Sequence, residues 1–305
     1  MITIFHLTDP HGRLSHVQRA IERAPGHSLI AVSGDIRDWD GPATVAQIEE
    51  TLAALRKLVD QAAAKNSHVA VNSGNHDDWC GSNFHEDYWL DVHEGNLHGD
   101  FSNAILNLNG EEVILTCMPW RDFEFTEWPA WLDKGNPVER ARRNRDKAAQ
   151  KRISEMLGKG KRWRDAKRIP WVWLHHNPPS QTVASAFSDA SNVLRDWISK
   201  YQPTAVLSGH LHDLPAHAVK NLCGHLGNTL VSNPGRTLDE IRINVIQIDR
   251  KDGAWVASGH TVAEQIPTEE DPGTGRTPLK AGGIPLITDG DDVEEWLLRV
   301  RWRPK

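Results

Sequence analysis

The chain has 305 residues, 39% of them hydrophobic and 25% charged, with a formal net charge of −6. This balance is typical of a soluble globular protein, and the negative charge offers no overall field for binding nucleic acid. No stretch approaches the roughly 20 apolar residues of a membrane helix, and no secretory leader opens the chain, so we expect a cytoplasmic protein. The three cysteines form no CxxC, which argues against a disulfide framework or a thiolate zinc site.

The first part of the chain alternates between short apolar runs and helical patterns. Strands are predicted at "MITIFHLTD", "SLIAVSGD" and "SHVAVNSGN", where apolar residues follow one another closely. Helices are predicted between them at "SHVQRAIERA", with Ser15 as the N-cap, and at "ATVAQIEETLAALRKLVDQAAAKN". This β-α-β-α-β order predicts parallel strands that are joined by crossover helices.

The rest of the chain adds hairpins and further buried strands. Hairpins are predicted at Asn109-Gly110 and at Lys251–Gly253, and "WVWLHH" and "TAVLSGH" are predicted strands with the helix "SNVLRDWISKY" between them. We assign residues 1–264 to one catalytic domain and interpret residues 119–169 as an inserted, cap-like segment. Residues 265–305 are predicted as a linker and a tail whose apolar stripe packs on this domain or on a second subunit.

Polar residues that can bind metal ions follow five of the predicted strands. They are Asp9 and His11, then Asp35, then Asn75, then His175 or His176, and finally His210 and His212. Because the carboxyl ends of parallel strands share one edge of a sheet, we expect these residues to converge on a single crevice. A glycine directly precedes Asp35, Asn75 and His210, where the backbone must turn sharply and pass close to other groups.

The number and type of these donors indicate a site for two metal ions. Seven oxygen and nitrogen donors are too many for one tetrahedral ion, and they suit two ions that share a bridging carboxylate. Donors of this type favour manganese, iron, zinc or cobalt over a metal that thiolates select. The residue patterns alone therefore predict a mixed α/β fold with one metal-binding edge.

The five polar blocks resemble the signature of the calcineurin-like metallophosphoesterase superfamily, and most closely its cyclic-nucleotide phosphodiesterase branch. That signature is D-x-H, G-D-x-x-D, G-N-H-[DE], a lone H, and G-H-x-H. The matching blocks are Asp9 to His11, Gly34 to Asp38, Gly74 to Asp77, His175, and Gly209 to His212. The resemblance implies a four-layer α/β/β/α sandwich of two mixed sheets with flanking helices.

The resemblance also implies a role for each matching residue. One metal ion is expected on Asp9, His11 and His212, and the second on Asn75, His175 and His210, with Asp35 bridging the two ions. His76 is expected beside the substrate phosphate as a charge stabiliser or proton donor, and Asn75 is expected to contact substrate as well. The lone histidine of the family follows a buried strand directly, which favours His175, although the spacing to Pro178 also allows His176.

The expected activity is cleavage of a phosphodiester, with a small cyclic nucleotide as substrate, by in-line attack of a metal-bridging hydroxide. The alternatives are a phosphomonoesterase or phosphoprotein phosphatase, and more remotely a metal-binding scaffold without activity. Residues 139–168 carry 13 Lys and Arg against 4 Asp and Glu. They form either a solvated helix pair over the site or a patch that attracts nucleotides, so nucleic acid is a less favoured partner.

Three further residues in or beside the blocks are left open by the sequence. Arg13 is either a surface residue or a contact for the substrate phosphate. Asp38 and Asp77 are as well suited to a structural role as to substrate contact. A homo-oligomer is expected only through the tail, and no membrane partner is expected.

Overall fold

A computed structural model of the chain describes residues 1–37, 45–77, 89–120, 137–182, 184, 191–211, 222–235 and 240–265. Within these ranges it contains four helices and thirteen strands. The helices are α1 (Leu14–Arg23), α2 (Val45–Ala63), α3 (Pro137–Lys167) and α4 (Asn192–Tyr201). The strands are β1 (Ile2–Thr8), β2 (Leu29–Ser33), β3 (His68–Asn72), β4 (His93–Glu94), β5 (Leu97–His98), β6 (Asn103–Leu108), β7 (Glu111–Cys117), β8 (Trp171–Leu174), β9 (Ala205–Leu207), β10 (Cys223–Leu226), β11 (Thr229–Ser232), β12 (Glu240–Lys251) and β13 (Ala254–Gln265).

The strands form two mixed sheets. The first sheet has the order β13-β12-β1-β2-β3-β5-β4, and the second has the order β10-β11-β9-β8-β7-β6. Strands β1, β2, β3 and β5 run parallel to one another, as do β7, β8, β9 and β11. The remaining strands pair antiparallel at the sides of each sheet. Each sheet thus has a parallel centre, which the βαβ pattern of the sequence predicts.

Three apolar clusters show how the layers are stacked. One cluster lies between the two sheets and includes Ile4 of the first sheet and Leu174 of the second. A second cluster joins the outer face of the first sheet to α1 and α2. A third joins the outer face of the second sheet to α3 and α4, with Trp171 and Trp173 fully buried within it. The fold is therefore the four-layer α/β/β/α sandwich that the family resemblance implies.

Neighbouring residues of one strand face different layers, because side chains alternate along a strand. In β8, Trp171 and Trp173 face α3 and α4, whereas Val172 and Leu174 face the other sheet. All four side chains are buried. This explains the continuous apolar run "WVWL", since a strand that is covered on both faces has no polar side.

Most of the predicted elements are confirmed, with one shift at a helix start. The hairpins at Asn109-Gly110 and Lys251–Gly253 join β6 to β7 and β12 to β13. Helix α1 begins at Leu14 with Arg13 as its N-cap residue and no side-chain cap bond, so Ser15 lies inside the helix. Within the described residues, no helix is long and apolar enough to cross a membrane.

The segment predicted as a cap-like insertion contributes a helix to the outer layer. Its described part forms the single helix α3, which packs on the second sheet through Ile153 and Leu157. This arrangement differs from the expected helix pair over the site. The tail at 266–305 lies outside the described residues, so its packing on the domain or on a second subunit stays a prediction.

Candidate metal centre

The predicted ligands meet where strands of both sheets end. Asp9, Asp35 and Asn75 follow β1, β2 and β3 of the first sheet, and His176 and His210 follow β8 and β9 of the second. The crevice therefore lies across the ends of two packed sheets, and not along the edge of one sheet as the residue patterns alone suggested. The reason is that apolar patterns identify buried strands but do not assign them to a sheet.

Asp35 occupies the centre of this group of side chains. Its Oδ2 atom lies 3.6 Å from Nε2 of His11, 3.6 Å from Nε2 of His176 and 3.9 Å from Nε2 of His76. These separations are too long for hydrogen bonds. They are close to the distance, roughly 3–3.5 Å, between two atoms that bind the same ion through bonds of 2.0–2.2 Å. The carboxylate of Asp35 is thus placed to be shared by two ions.

Two groups of side chains in the described part of the chain could each hold an ion. One comprises His11, Asp35 and His76, and the other comprises Asp9, Asp35 and His176. Asp35 belongs to both groups, which agrees with its expected bridging role. The grouping of the other residues differs from expectation, because Asp9 is grouped with His176 and because His76 joins His11 in a ligand group.

Asn75 lies between two imidazoles. Its Oδ1 atom is 2.9 Å from Nε2 of His176 and 2.9 Å from Nδ1 of His210. Nδ1 of His176 is 2.9 Å from the carbonyl oxygen of Ser33. Because a carbonyl oxygen can only accept, this nitrogen carries the proton, and Nε2 of a neutral His176 presents a lone pair. The lone pair of Nε2 faces the amide oxygen of Asn75 and the carboxylate of Asp35, and these electron-rich atoms repel one another. A cation between them would remove this repulsion, so this donor set fits a metal ion.

The structure brings His176 to the centre in place of His175. The Nδ1 atom of His175 lies 3.0 Å from the carbonyl oxygen of Asn177, and His175 belongs to neither of the two ligand groups found among the described residues. Both imidazoles are buried. The geometry therefore corrects the sequence-based preference for His175 and favours the alternative, His176. Successive residues after a strand point in different directions, and the pattern "WVWLHH" could not determine which of them faces the crevice.

The backbone at the centre adopts an uncommon conformation. Asp9, His11, Asp35 and His210 have φ values of 50°, 44°, 50° and 70°. Positive φ is uncommon in residues other than glycine, and such positions tend to gather at functional sites, where the surrounding structure holds them. Four of the predicted ligands share this conformation, so the ends of the strands are bent to aim side chains into the crevice.

Two glycines permit this close packing. A Cβ atom on Gly74 would lie 2.1 Å from Oδ1 of Asp35, and one on Gly34 would lie 2.0 Å from Nδ1 of His176. Gly34 also has a φ of 80°. Any side chain at these positions would therefore displace a predicted ligand. This is the physical reason for the glycines that precede Asp35 and Asn75 in the sequence.

His76 lies at the open side of the centre. Its side chain is 35% exposed, and its ring packs edge-on against that of His11 with 4.9 Å between centroids. The backbone N–H of His76 donates to Oδ1 of Asp35 at 2.9 Å. Solvent and substrate can therefore reach this imidazole.

Arg13 is partly buried at the start of α1, and its contact with substrate stays a prediction.

Asp77 has a structural role. Its carboxylate accepts hydrogen bonds from the backbone N–H groups of Gly74, Ile36 and Arg37, which ties the loop after β2 to the loop after β3. Burial, with a smaller contribution from the charge of Asp35, raises the pKa of Asp77 to about 7. The structural alternative that the sequence left open for Asp77 is thus the one its contacts favour.

One residue of this network was not identified from the sequence. Thr8 donates from Oγ1 to the carbonyl oxygen of Ser33 at 2.7 Å and is hydrogen-bonded to Oδ2 of Asp9. A threonine at the end of a strand is an ordinary β-former, so the sequence carries no signal of this contact.

Two residues of the predicted blocks, His212 and Asp38, lie outside the described residues. His212 is expected to bind a metal ion together with Asp9 and His11.

A separate groove lies between α3 and the strands β4, β5 and β6. It has a volume of about 670 Å³ and combines apolar residues such as Leu97 and Met156 with the cations Arg152, Lys159 and Arg162. None of the predicted metal ligands lines it. These three basic side chains of α3 therefore lie at a surface that is distinct from the metal centre.

Comparisons with known proteins agree with the site. The sequence matches the calcineurin-like phosphoesterase family over residues 2–214, which is more than half of the chain. The chain belongs to this family. It is a metal-dependent phosphoester hydrolase, and enzymes of this family use two divalent metal ions.

Individual relatives are distant. No curated protein matches the sequence. One solved crystal structure is 17% identical and has a TM-score of 0.47, with 86% of this chain and 98% of the other covered. A candidate 5'-nucleotidase from Staphylococcus aureus, solved in complex with alpha-ketoglutarate, is 12% identical with a TM-score of 0.47. That comparison covers 98% of this chain and 58% of the other protein.

Proposed function

We propose that the protein hydrolyses a phosphodiester and that its substrate is a small nucleotide, such as a cyclic nucleotide. The order of the five blocks and the compact size of the chain support this proposal, because both resemble the cyclic-nucleotide branch of the superfamily. We further propose manganese, iron, zinc or cobalt as the bound metals, since the donors are imidazole, carboxylate and amide groups.

The composition of the donor set is the observation that carries the phosphoester part of the proposal. Asn75 is a neutral amide at the point where His176 and His210 approach each other. Only two carboxylates, those of Asp9 and Asp35, therefore oppose the charge of two divalent ions. The balance leaves an excess of two positive charges, which attracts a phosphate anion into the crevice. A third carboxylate at position 75 would halve this excess.

Each of the chain's own residues then has a defined task. When bound, two divalent ions supply Lewis acidity and lower the pKa of bound water toward neutrality. Asp35 holds its Oδ2 atom toward the imidazoles, while its Oδ1 atom accepts the N–H of His76. His76 is the exposed imidazole next to the carboxylate, so it is placed to bind the phosphate or to protonate the departing oxygen.

A comparison of model substrates tests the choice of diester. Purified protein is assayed with bis-p-nitrophenyl phosphate and with p-nitrophenyl phosphate in the presence of Mn²⁺. We expect the diester to have the higher kcat/KM. A second panel contains 3′,5′-cyclic and 2′,3′-cyclic nucleotides, a 5′-nucleotide and a phosphoserine peptide. Faster release of phosphate from the 5′-nucleotide or the peptide would replace the proposal by a phosphomonoesterase or a phosphoprotein phosphatase.

The scaffold alternative is tested by metal content. The protein is reconstituted with Mn²⁺ and its bound metal is measured by elemental analysis. We expect close to two equivalents together with hydrolysis. Less than one equivalent and no hydrolysis would favour a scaffold. A cytoplasmic location is also proposed, supported by the buried Cys117, which forms no disulfide and suits a reducing compartment.

A further inference from the structure

We propose that Thr8 is a positioning residue for Asp9, and that its hydroxyl sets the affinity of the centre for metal ions. The inference rests on the metal-dependent function proposed above, but it concerns ion binding and not the choice of substrate. It follows from the different contacts that the two oxygens of the Asp9 carboxylate make.

The two oxygens of Asp9 face different partners. Oδ2 is hydrogen-bonded to the Thr8 hydroxyl and accepts the backbone N–H of His210 at 3.1 Å. Oδ1 lies 3.9 Å from Nε2 of His176, on the side of the centre. One oxygen is thus held by the protein, and the other would be available to bind an ion. A carboxylate that is held in this way loses less side-chain freedom when it binds a metal.

The Thr8 hydroxyl also links Asp9 to His176, a member of the same donor group. The carbonyl oxygen of Ser33 accepts from Oγ1 of Thr8 at 2.7 Å and from Nδ1 of His176 at 2.9 Å. The orientation of Asp9 and the tautomer of His176 therefore depend on the same carbonyl group. Because a hydroxyl carries one proton, Thr8 shares it between Ser33 and Asp9 in a three-centre hydrogen bond.

The surroundings of Thr8 leave space for a threonine-sized side chain and little more. Thr8 is 6% exposed, and a Cβ atom on Gly209 would lie 1.8 Å from its Oγ1 atom. The segment that carries His210 therefore packs directly on the hydroxyl. Valine has the shape of threonine without the hydroxyl, so Thr8→Val removes the hydrogen bonds and keeps the volume. Thr8→Ser keeps the hydroxyl and removes the methyl group.

The test measures Mn²⁺ binding to metal-free protein by titration calorimetry. We expect Thr8→Val to weaken the Kd for Mn²⁺ by about 10- to 100-fold, the range for groups that orient metal ligands. We expect Thr8→Ser to stay within about threefold of wild type. Thr3→Val in the same strand serves as a matched control and should leave the Kd unchanged. Circular dichroism and urea unfolding in EDTA show whether each variant is folded.

Each outcome decides the question. Wild-type affinity in Thr8→Val overturns the proposal. Equally weak binding in Thr8→Val and Thr8→Ser shows that any change of this side chain disturbs the centre, so the effect is not specific to the hydroxyl and the proposal is overturned too. If Thr8→Val does not fold, the Kd of Thr8→Ala is measured instead and judged in the same way. If neither variant folds while Thr8→Ser binds normally, the hydroxyl is needed for folding and the proposal is overturned. Failure of the proposed function appears differently, as wild-type protein that binds Mn²⁺ without cleaving a diester.

Discussion

Nε2 of His176 lies 3.6 Å from Oδ2 of Asp35, and the two residues follow strands of different sheets. This pair therefore belongs both to the metal centre and to the contact between the two sheets. Its geometry explains why the centre depends on the four-layer fold, since neither sheet alone contains both donors.

Replacement of Asp35 should remove the donor shared by both ions. We expect Asp35→Asn to lower kcat/KM by more than about a thousandfold, because the ions supply several kcal/mol of charge stabilisation in the transition state. Bound manganese should fall from two equivalents to fewer than one. Asp60→Asn, an exposed carboxylate on α2, is the control. An Asp35→Asn protein with normal turnover would refute the site as a whole.

The two adjacent histidines should behave differently. We expect His176→Ala to weaken the Kd for Mn²⁺ by at least about tenfold, because Nε2 of His176 faces Asp35 and Asn75. His175→Ala should keep the Kd within a few-fold and instead lower the free energy of unfolding, because a buried imidazole and its bond to Asn177 are lost. Calorimetry and urea unfolding separate the two effects. The opposite pattern would restore His175 as the ligand.

His76 should affect rate more than metal binding. We expect His76→Ala to reduce kcat by about 10²- to 10⁴-fold, the contribution typical of a positioned acid or base. The bound metal should stay near two equivalents, because His76 is the most exposed imidazole beside Asp35. Elemental analysis alongside steady-state kinetics measures both quantities. Loss of one equivalent would instead make His76 a ligand, together with His11 and Asp35.

His6 should make the folded state sensitive to acid. It is fully buried between the hydroxyls of Ser33 and Ser232, and burial lowers its pKa from 6.5 to about 3. Between these two values the unfolded chain binds a proton that the folded protein does not. The contribution of His6 to stability is therefore complete above pH 6.5 and falls by about 1.4 kcal/mol for each pH unit below it.

The measurement must separate the effect of His6 from that of groups whose protonation changes the stability in the opposite direction. Burial raises the pKa of Asp77 and of Asp100 to about 7, and their protonation stabilises the folded state as the pH falls. We therefore compare urea unfolding at pH 5 and pH 7 in wild type, in His6→Gln and in the exposed control His260→Gln. The pH dependence should change by about 2 kcal/mol only in His6→Gln. Parallel profiles for all three proteins would contradict the prediction.

Two glycines of α3 should respond to alanine in opposite ways. A Cβ atom on Gly160 would lie 2.4 Å from the ring of Trp171, which is fully buried and donates from Nε1 to Thr116 at 2.9 Å. Gly160→Ala should therefore destabilise the protein by about 1–3 kcal/mol through overpacking. At Gly158 the nearest atom would be 3.6 Å away, so Gly158→Ala should stabilise by about 0.5–1 kcal/mol. Urea unfolding of both variants checks the signs.

The sequence predicts the elements better than their assembly. Continuous apolar runs identify strands such as "WVWL", and Asn109-Gly110 identifies a hairpin, because these are local properties. The assignment of strands to two sheets depends on long-range packing that no local pattern records. For the same reason the family resemblance, and not periodicity, supplied the four-layer architecture.

For the candidate site too, the sequence predicts which residues take part better than it predicts their contacts. Asp9, His11, Asp35, Asn75 and His210 converge as the sequence predicts, because each lies within three residues of the end of a strand of the parallel centre. The selection of His176 over His175, and the contact of Thr8 with Asp9, depend on side-chain directions and hydroxyl positions that are fixed only in three dimensions. Those details can be read from atomic distances and not from spacing.

The position of β1 has a consequence for the order in which the protein is made. This N-terminal strand lies between β2 and β12, so its partner on one side is Glu240–Lys251. The predicted ligands have all been synthesised by residue 212, whereas the first sheet cannot close until the ribosome has added some forty residues more. Nascent chains that have released His212 but not β12 contain every predicted metal donor, while the first sheet still has an unpaired side at β1. Until β12 has been synthesised, the unpaired side of β1 can pair with another chain, and the donors can bind metal before the sheet is complete. Both risks end when the β12–β13 hairpin pairs with β1.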